Sequence, residues 1–236
     1  MGMFDLIKKD EARERRPSAL EQAQNPEDPG LVGGAAVSLV TRLLESGIDG
    51  RGPLGSAEEV AADALAKTGS PEKAVSRVVS NHVKLAAAQG FVTSLGGFIT
   101  LPVSLPANVA GFYMVATRMT AAVAHLRGYD IGDHQIRSAV LLTLVGAESD
   151  YLLRKAGSVA PPSTMANLAA QGLPGPALMM VNKAVGFKIL TQVGKTSLSR
   201  FGRAVPVIGG AVGAGLDGML MKSVGKQALE EFPPRS

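Results

Sequence analysis

The feature that most constrains this chain is a long uncharged run, which extends from Leu85 to Thr117 and contains "GFVTSLGGFITLPVSLPANVAGFYMVAT". A helix that spans a bilayer needs about 20 continuous apolar residues. The run is longer than that, but Pro102 and Pro106 interrupt it, and proline breaks a helix interior. Only 17 residues of the run precede Pro102, and only 11 separate Pro106 from Arg118. Neither half is long enough to span a membrane comfortably.

The run therefore predicts two helical arms joined by the proline-bounded turn "LPVSLP". This apolar helical hairpin would be either buried in protein or dipped partly into a membrane. Its apolar ligand or membrane surface would consist of the residues around the turn, namely Phe91, Phe98, Leu101, Pro102, Leu105, Pro106, Phe112 and Met114. For each aromatic residue taken singly, ordinary core packing is the alternative explanation.

The rest of the chain carries start and stop signals for helices. Ser56 followed by Glu59 predicts a capping box ahead of "AEEVAADALAKT", and Gly69 predicts the end of that helix. Asp133 predicts the N-cap of the helix "HQIRSAVLLTLVG". No stretch alternates convincingly between apolar and polar residues. The sequence thus predicts an all-α fold, a single compact helical domain of about seven to nine helices.

Helix boundaries follow from the same signals. We expect the first helix of the domain to end at Gly47, and the helix that Pro71 opens to end near Gln89. The last helix should run from about Ile208 to Glu230. Apolar stripes at helical spacing are predicted at Ile136, Val140 and Leu144, and at Leu178, Val181, Val185 and Ile189.

The N-terminal residues differ from the rest in composition. Residues 1–30 are charged and end in "NPEDPG", which predicts a flexible charged N-terminal arm, and residues 31–236 are predicted to form the helical domain. The first residues are charged where a secretory signal would be apolar. The chain has no cysteine, which excludes disulfides and thiolate chemistry and fits a reducing compartment such as the cytoplasm.

The formal charge of +4 is concentrated near the C-terminus. From Lys183 to Ser236, eight Lys or Arg residues stand against three acidic ones, whereas the preceding residues are nearly balanced. Nucleic-acid binding is not predicted, because tryptophan is absent and aromatic residues are not interleaved with basic ones. Attraction to an anionic membrane face explains the charge better. The predicted headgroup-facing residues are Lys188, Lys195, Arg200 and Arg203.

Small residues recur every four positions in the last helix. Close helix packing is therefore predicted at Gly209, Gly210, Gly213, Ala214 and Gly218. The partner is left open by this pattern: a helix of the same domain, lipid or a membrane helix, or a second copy in a homo-oligomer. Asp217 lies beside the stripe, and because a carboxylate is costly in lipid, we expect it to be a polar anchor in a helical core.

Two sequences resemble cofactor-binding motifs, but each lacks an essential part of its motif. "GAGLDG" has dinucleotide-binding spacing, but too few residues follow for the second strand and the acidic ribose ligand. "GKTS" lacks the first glycine of a phosphate-binding loop, because that position is Ile189. The three histidines are not spaced as a metal pair. No cofactor, metal or catalytic residue is predicted; the alternative is a hydrolase that uses Asp130, Asp133, His134, Glu148 and Asp150.

The segments "ITLPVSLPANVAGFYMVATRMTAAVAHLRGYDI" and "RFGRAVPVIGGAVGAGLDGMLMKSVGKQA" resemble the EcsC family of bacterial proteins, over roughly residues 60 to 230. The resemblance rests on the order of apolar, proline and glycine segments and includes no catalytic motif. The family takes its name from a protein encoded beside an ABC transporter. The resemblance therefore implies a non-catalytic accessory role in transport or secretion, at the inner face of the cell membrane. A peripheral cytoplasmic protein that binds lipid or a membrane partner such as a transporter is expected.

Overall fold

The computed structural model describes residues 31–50, 55–95, 107–146, 174–200 and 206–235, and within these ranges the fold is all-α with no strand. These residues belong to a single helical domain, as predicted. The described ranges contain seven α-helices and one π-helical segment: α1 (Leu31–Arg42), the π segment (Leu43–Ile48), α2 (Ala57–Thr68), α3 (Pro71–Leu95), α4 (Ala107–Leu126), α5 (His134–Thr143), α6 (Gly175–Arg200) and α7 (Pro206–Glu231).

The termini of α2 confirm the sequence prediction. The Ser56 Oγ accepts a hydrogen bond from the Glu59 backbone N–H at 3.0 Å, and the Glu59 carboxylate accepts one from the Ser56 N–H at 2.9 Å. At the other end Gly69 adopts a left-handed conformation, φ +70°, and donates its N–H to the Leu65 carbonyl. The reciprocal hydrogen bonds between Ser56 and Glu59 satisfy N–H groups that the first turn of a helix otherwise leaves unpaired.

Helix α4 is the centre of the domain. Every residue from Val115 to Ala124 is buried, on all sides of the helix. α2, α3, α5, α7 and the π segment all pack against it. A helix that is apolar all round is expected to be enclosed by other helices. The second half of the uncharged run thus leads into the core of the protein.

The π segment replaces the predicted end of the first helix. The α-helical hydrogen bonding stops at Arg42, and the wider segment continues to Ile48, one residue beyond the expected end at Gly47. Gly47 touches α4 so closely that a Cβ there would lie 2.8 Å from the Thr117 Cβ. A glycine is therefore required for contact with the central helix.

α3 and α7 run antiparallel in close contact. A Cβ at Gly218 would lie 3.4 Å from the Ala87 Cβ, and one at Gly225 would lie 2.8 Å from the Val79 Cγ1. As residue numbers rise along α7 they fall along α3, so the C-terminal end of α3 and the N-terminal end of α7 lie at the same end of the domain.

Two further helix boundaries differ from the prediction. α3 continues to Leu95 through Gly90, beyond the expected end near Gln89. A glycine inside a helix costs about 1 kcal/mol, and we attribute the continuation to packing, since α7 runs alongside α3. α7 begins at Pro206, earlier than the expected Ile208. Proline suits the first turn of a helix, because the N–H that it lacks would have no partner there.

α1, α5 and α6 form the remaining layer. A Cβ at Gly186 in α6 would lie 2.5 Å from the Ala36 carbonyl oxygen of α1, so these helices cross at backbone contact. The predicted apolar stripes face inward: Ile136, Val140, Leu144, Val181, Val185 and Ile189 are buried, and Leu178 is half-buried. The Asp133 carboxylate accepts the Gln135 N–H at 2.7 Å, which confirms the predicted N-cap of α5.

Candidate functional site

Most of the predicted hairpin surface lies outside the described residues. This applies to Phe98, Leu101, Pro102, Leu105 and Pro106, and Phe91 belongs to α3 but its side chain is not described. The two remaining residues, Phe112 and Met114, lie on α4, half-buried against the core. The ring of Phe112 meets that of Tyr113 edge to face, with centroids 5.6 Å apart. These two side chains are therefore partly packed against the core and partly exposed.

The predicted basic residues lie on or after α6. Lys188 is half-buried on this helix, whereas the side chains of Lys195 and Arg200, and the whole of Arg203, lie outside the described part. The exposed cations that the structure describes on α7 are Lys222 and Lys226. Lys226 is 3.6 Å from the Glu230 carboxylate, and because both side chains are largely exposed the ion pair between them is weak.

Part of the glycine stripe faces α3. Gly218 is buried and packs against Ala87, and Asp217 beside it is half-buried. Gly225, which was not among the predicted packing residues, makes an even closer contact with Val79. The surroundings of the other four predicted residues, Gly209, Gly210, Gly213 and Ala214, are outside the description, although all four belong to α7.

The opposite side of α7 presents large apolar side chains to solvent. Leu216, Met219 and Leu220 are 45%, 70% and 53% exposed, and their spacing of three and four residues places them on one face of the helix. Lys222 and Lys226 follow on the same helix and are also exposed. Sequence reasoning concentrated on the hairpin and missed this face. The available signal was three large apolar residues directed away from the glycine stripe.

A cleft of about 330 Å³ lies between α2, α3 and α4. Its apolar lining comes from Val60, Ala64, Val78 and Leu85. Its polar lining includes the acidic side chains of Glu59 and Asp63 and the buried side chains of His82 and Arg118. The cleft thus combines an aliphatic wall with charged groups of both signs.

His82 and Arg118 each have a buried polar atom without a partner in the protein. The Nδ1 of His82 lies 2.7 Å from the Val78 carbonyl oxygen, and in the neutral ring it donates to that oxygen; Nε2 is buried and unpaired. Arg118 is only 9% exposed, its Nε is buried and unpaired, and the part of the chain that the structure describes supplies it with no ion pair. An unsatisfied buried polar group costs about 1–3 kcal/mol, so the fold carries a destabilising feature here.

Electrostatics decides which of these two groups is charged. Burial lowers the pKa of His82 to about 4, and the Arg118 cation acts in the same direction, while the hydrogen bond to Val78 opposes both. Burial also lowers the pKa of Arg118, but a guanidinium remains protonated at neutral pH. At pH 7 the cleft therefore presents a guanidinium, which only donates hydrogen bonds, beside an imidazole nitrogen that only accepts them.

A second cleft, of about 390 Å³, lies between α1, α5 and α6. Val37, Leu44 and Met179 give it an apolar wall. The Ser138 Oγ and the Asn182 Oδ1 line it and are buried without partners in the protein. In the part of the chain that the structure describes, no acidic residue lines this cleft, and Lys183 and the exposed His134 also border it.

The alternative hydrolase residues serve as turn and cap groups where the structure describes them. The Asp130 carboxylate accepts the Gly132 N–H at 2.8 Å, and Asp133 caps α5. His134 borders the second cleft, and Glu148 and Asp150 lie outside the described residues. Within the described ranges, no three His, Asp or Glu side chains converge as a metal site. None of the helices in the described ranges is both long and apolar enough to cross a membrane.

A protein-family model matches most of this chain. The model of the EcsC protein family matches residues 58–235, which is more than half of the chain and extends from the first turn of α2 to beyond the end of α7. Searches of the curated proteins and of the solved structures found no match. The match covers both the cleft between α2, α3 and α4 and the exposed face of α7.

Proposed function

This chain belongs to the EcsC protein family, and on that premise we propose that it is a non-catalytic peripheral membrane protein. In this proposal it binds the inner face of the cell membrane from the cytoplasm and acts as an accessory to transport or secretion. The observation that carries the proposal is the exposed apolar face of α7, formed by Leu216, Met219 and Leu220. Contiguous exposed apolar side chains are the usual mark of a surface that binds a partner or a membrane.

The adjacent charge favours a lipid surface as the partner. Lys222 and Lys226 are exposed beside the apolar face, and the C-terminal quarter of the chain is strongly basic. An amphipathic helix with apolar residues on one side and lysines nearby can lie in the plane of an anionic interface. Such a helix does not need to span the bilayer.

The expected affinity is modest. Burying the exposed parts of the three apolar side chains contributes about 1 kcal/mol each, and each lysine near an anionic surface contributes about 1 kcal/mol. The gross total of about 5 kcal/mol is close to that of a single myristoyl chain, which binds membranes reversibly. α7 alone would therefore give reversible attachment, as expected of an accessory protein that joins and leaves a membrane complex.

Co-sedimentation with vesicles tests the proposal. We expect the full chain to sediment with phosphatidylcholine vesicles that contain phosphatidylserine, and to bind pure phosphatidylcholine more weakly. Met219→Gln should weaken binding about fivefold, because it removes about 1 kcal/mol of apolar contact. Met179→Gln is the matched control, since Met179 on α6 is 69% exposed and Met219 is 70% exposed. Equal binding of the two variants would contradict the role of α7.

The electrostatic part has its own test. Replacing Lys222 and Lys226 by Gln should weaken binding to vesicles that contain phosphatidylserine and leave binding to phosphatidylcholine unchanged. Lys67→Gln with Lys73→Gln removes the same charge from exposed positions on α2 and α3 and serves as the control. If the chain bound native membranes but no protein-free vesicle, its binding partner would be a membrane protein and not lipid.

A further inference from the structure

His82 and Arg118 form a pair that the membrane proposal does not use. They come from α3 and α4, line the same cleft, and are both more than nine-tenths buried. Each has a buried nitrogen without a partner in the protein. Buried polar groups in native proteins are nearly always paired, and an exception marks a place where something else completes the hydrogen bonds. Two exceptions in one cleft indicate a ligand that serves both.

The two unpaired nitrogens need opposite hydrogen-bonding partners from a ligand: one needs an acceptor and the other a donor. Arg118 only donates hydrogen bonds and is suited to a carboxylate, whose planar oxygens match the guanidinium. The Nε2 of His82 accepts, because Nδ1 donates to the Val78 carbonyl. The ligand must therefore carry an anionic oxygen group and, close to it, an O–H or N–H donor.

The other residues that line the cleft limit the chemical class of the ligand further. Glu59 and Asp63 disfavour a second negative charge on the ligand, so a monoanion fits this cleft better than a phosphate dianion or a dicarboxylate, although Asp63 is partly neutralised by its ion pair with Lys67 at 2.7 Å. Val60, Ala64 and Leu85 provide a wall for an aliphatic body. The volume of about 330 Å³ lies at the small end of the range for small-molecule sites.

We infer that this cleft binds a small aliphatic monocarboxylate with a hydrogen-bond donor beside its carboxylate, which is the shared chemistry of hydroxy acids and amino acids. The carboxylate would bind Arg118, the donor would reach the His82 Nε2, and the aliphatic chain would lie along the wall formed by α2 and α3. The acidic side chains of the cleft would additionally favour the ammonium group of an amino acid. The inference does not depend on membrane binding.

Three probes with the same carbon skeleton separate the contributions. Isothermal titration calorimetry of the full chain would use leucine, leucic acid, which has a hydroxyl in place of the amino group, and isocaproate, which has neither. We expect leucine or leucic acid to bind, and isocaproate to bind about tenfold more weakly, because it leaves the His82 acceptor unpaired. The stronger of the first two probes identifies an amino acid or a hydroxy acid. Binding by none of the probes, or equal binding by all three, would overturn the inference.

A spectroscopic readout shows whether binding occurs at this cleft. The chain has three histidines, so the ring nitrogens can be resolved by nitrogen-15 NMR. The Nε2 resonance of His82 should shift on addition of the binding probe, while those of His125 and His134 should not. In Arg118→Met both the heat of binding and this shift should disappear. A His82 resonance that does not respond to a bound probe in the wild type would overturn the inference even if the variant failed to fold.

Discussion

Gly186→Ala should destabilise the protein, although alanine is the better helix former. A Cβ at this position of α6 would lie 2.5 Å from the Ala36 carbonyl oxygen and 2.9 Å from the Ala36 carbonyl carbon. Both are backbone atoms of α1, so no side chain can rotate away from the added methyl group. The two helices would have to separate, which loosens contacts along their whole crossing.

The two opposing effects have known sizes. Replacing glycine by alanine inside a helix gains about 1 kcal/mol. Overpacking a close contact costs about 1–3 kcal/mol, and we expect the upper part of this range because the obstacle is backbone. The free energy of unfolding should therefore fall by about 1–2 kcal/mol, which lowers Tm by about 2–8 °C for a chain of this size.

Thermal unfolding followed by circular dichroism measures the difference. Gly215→Ala is the control, because Gly215 lies in α7 with no atom within 4 Å of an added Cβ. This variant should gain the helix propensity without the clash, and Tm should rise by about 2–4 °C. If Gly186→Ala melted at or above the wild-type temperature, α1 and α6 could not cross at backbone contact, and the reasoning would be refuted.

Three further predictions follow from local structure. Ser56→Ala removes the capping box of α2 and should lower the free energy of unfolding by about 1 kcal/mol in urea titrations, whereas Ser56→Asp should keep most of it. Arg118→Met removes a buried cation that lacks a partner in the described structure and should raise Tm in calorimetric scans, by the equivalent of about 1 kcal/mol or more; a lower Tm would mean that the cation is satisfied. His82 has a pKa of about 4 in the fold against an ordinary pKa of 6.5, so the unfolded chain binds more protons between these pH values. The free energy of unfolding should therefore be highest above pH 6.5 and fall as the pH drops toward 4, by on the order of 3 kcal/mol. His82→Gln should flatten this pH dependence, which urea titrations at a series of pH values would measure.

Local signals in the sequence predicted much of the fold. The capping box at Ser56, the left-handed Gly69 and the Asp133 cap depend on a few neighbouring residues, and all are present in the structure. The interrupted uncharged run correctly indicated a helix that restarts after Pro106. Such features can be read from a single sequence because their energies are set within one turn of chain.

Features that depend on residues far apart in the sequence were harder to predict. The extension of α3 through Gly90 and the π segment before Asp49 accompany contacts with α7 and α4, which no local pattern encodes. The exposure of Leu216, Met219 and Leu220 likewise depends on which side of α7 packs against α3, and the contacts of Gly218 and Gly225 establish that side in the structure.

The sequence did not predict that His82 and Arg118 line the same cleft, for the same reason. The two residues belong to different helices, and sequence reasoning used Arg118 only as the end of an uncharged run. One signal was available: a single charge followed by the apolar stretch "MTAAVAHL" at helical spacing. A lone cation inside an otherwise apolar helix has to be buried or to displace the helix from the core, and in this protein it is buried at a cleft.

The membrane proposal is tested most directly by a spin label on α7. Because the chain has no cysteine, Met219→Cys and Met179→Cys each provide a single labelling site of nearly equal exposure. On addition of vesicles that contain phosphatidylserine, the label at position 219 should become more accessible to oxygen and less accessible to a water-soluble nickel complex, while the label at position 179 stays in water. If the label at position 219 remained as accessible to nickel as the control, α7 would not enter the membrane interface, and the proposed function would be contradicted.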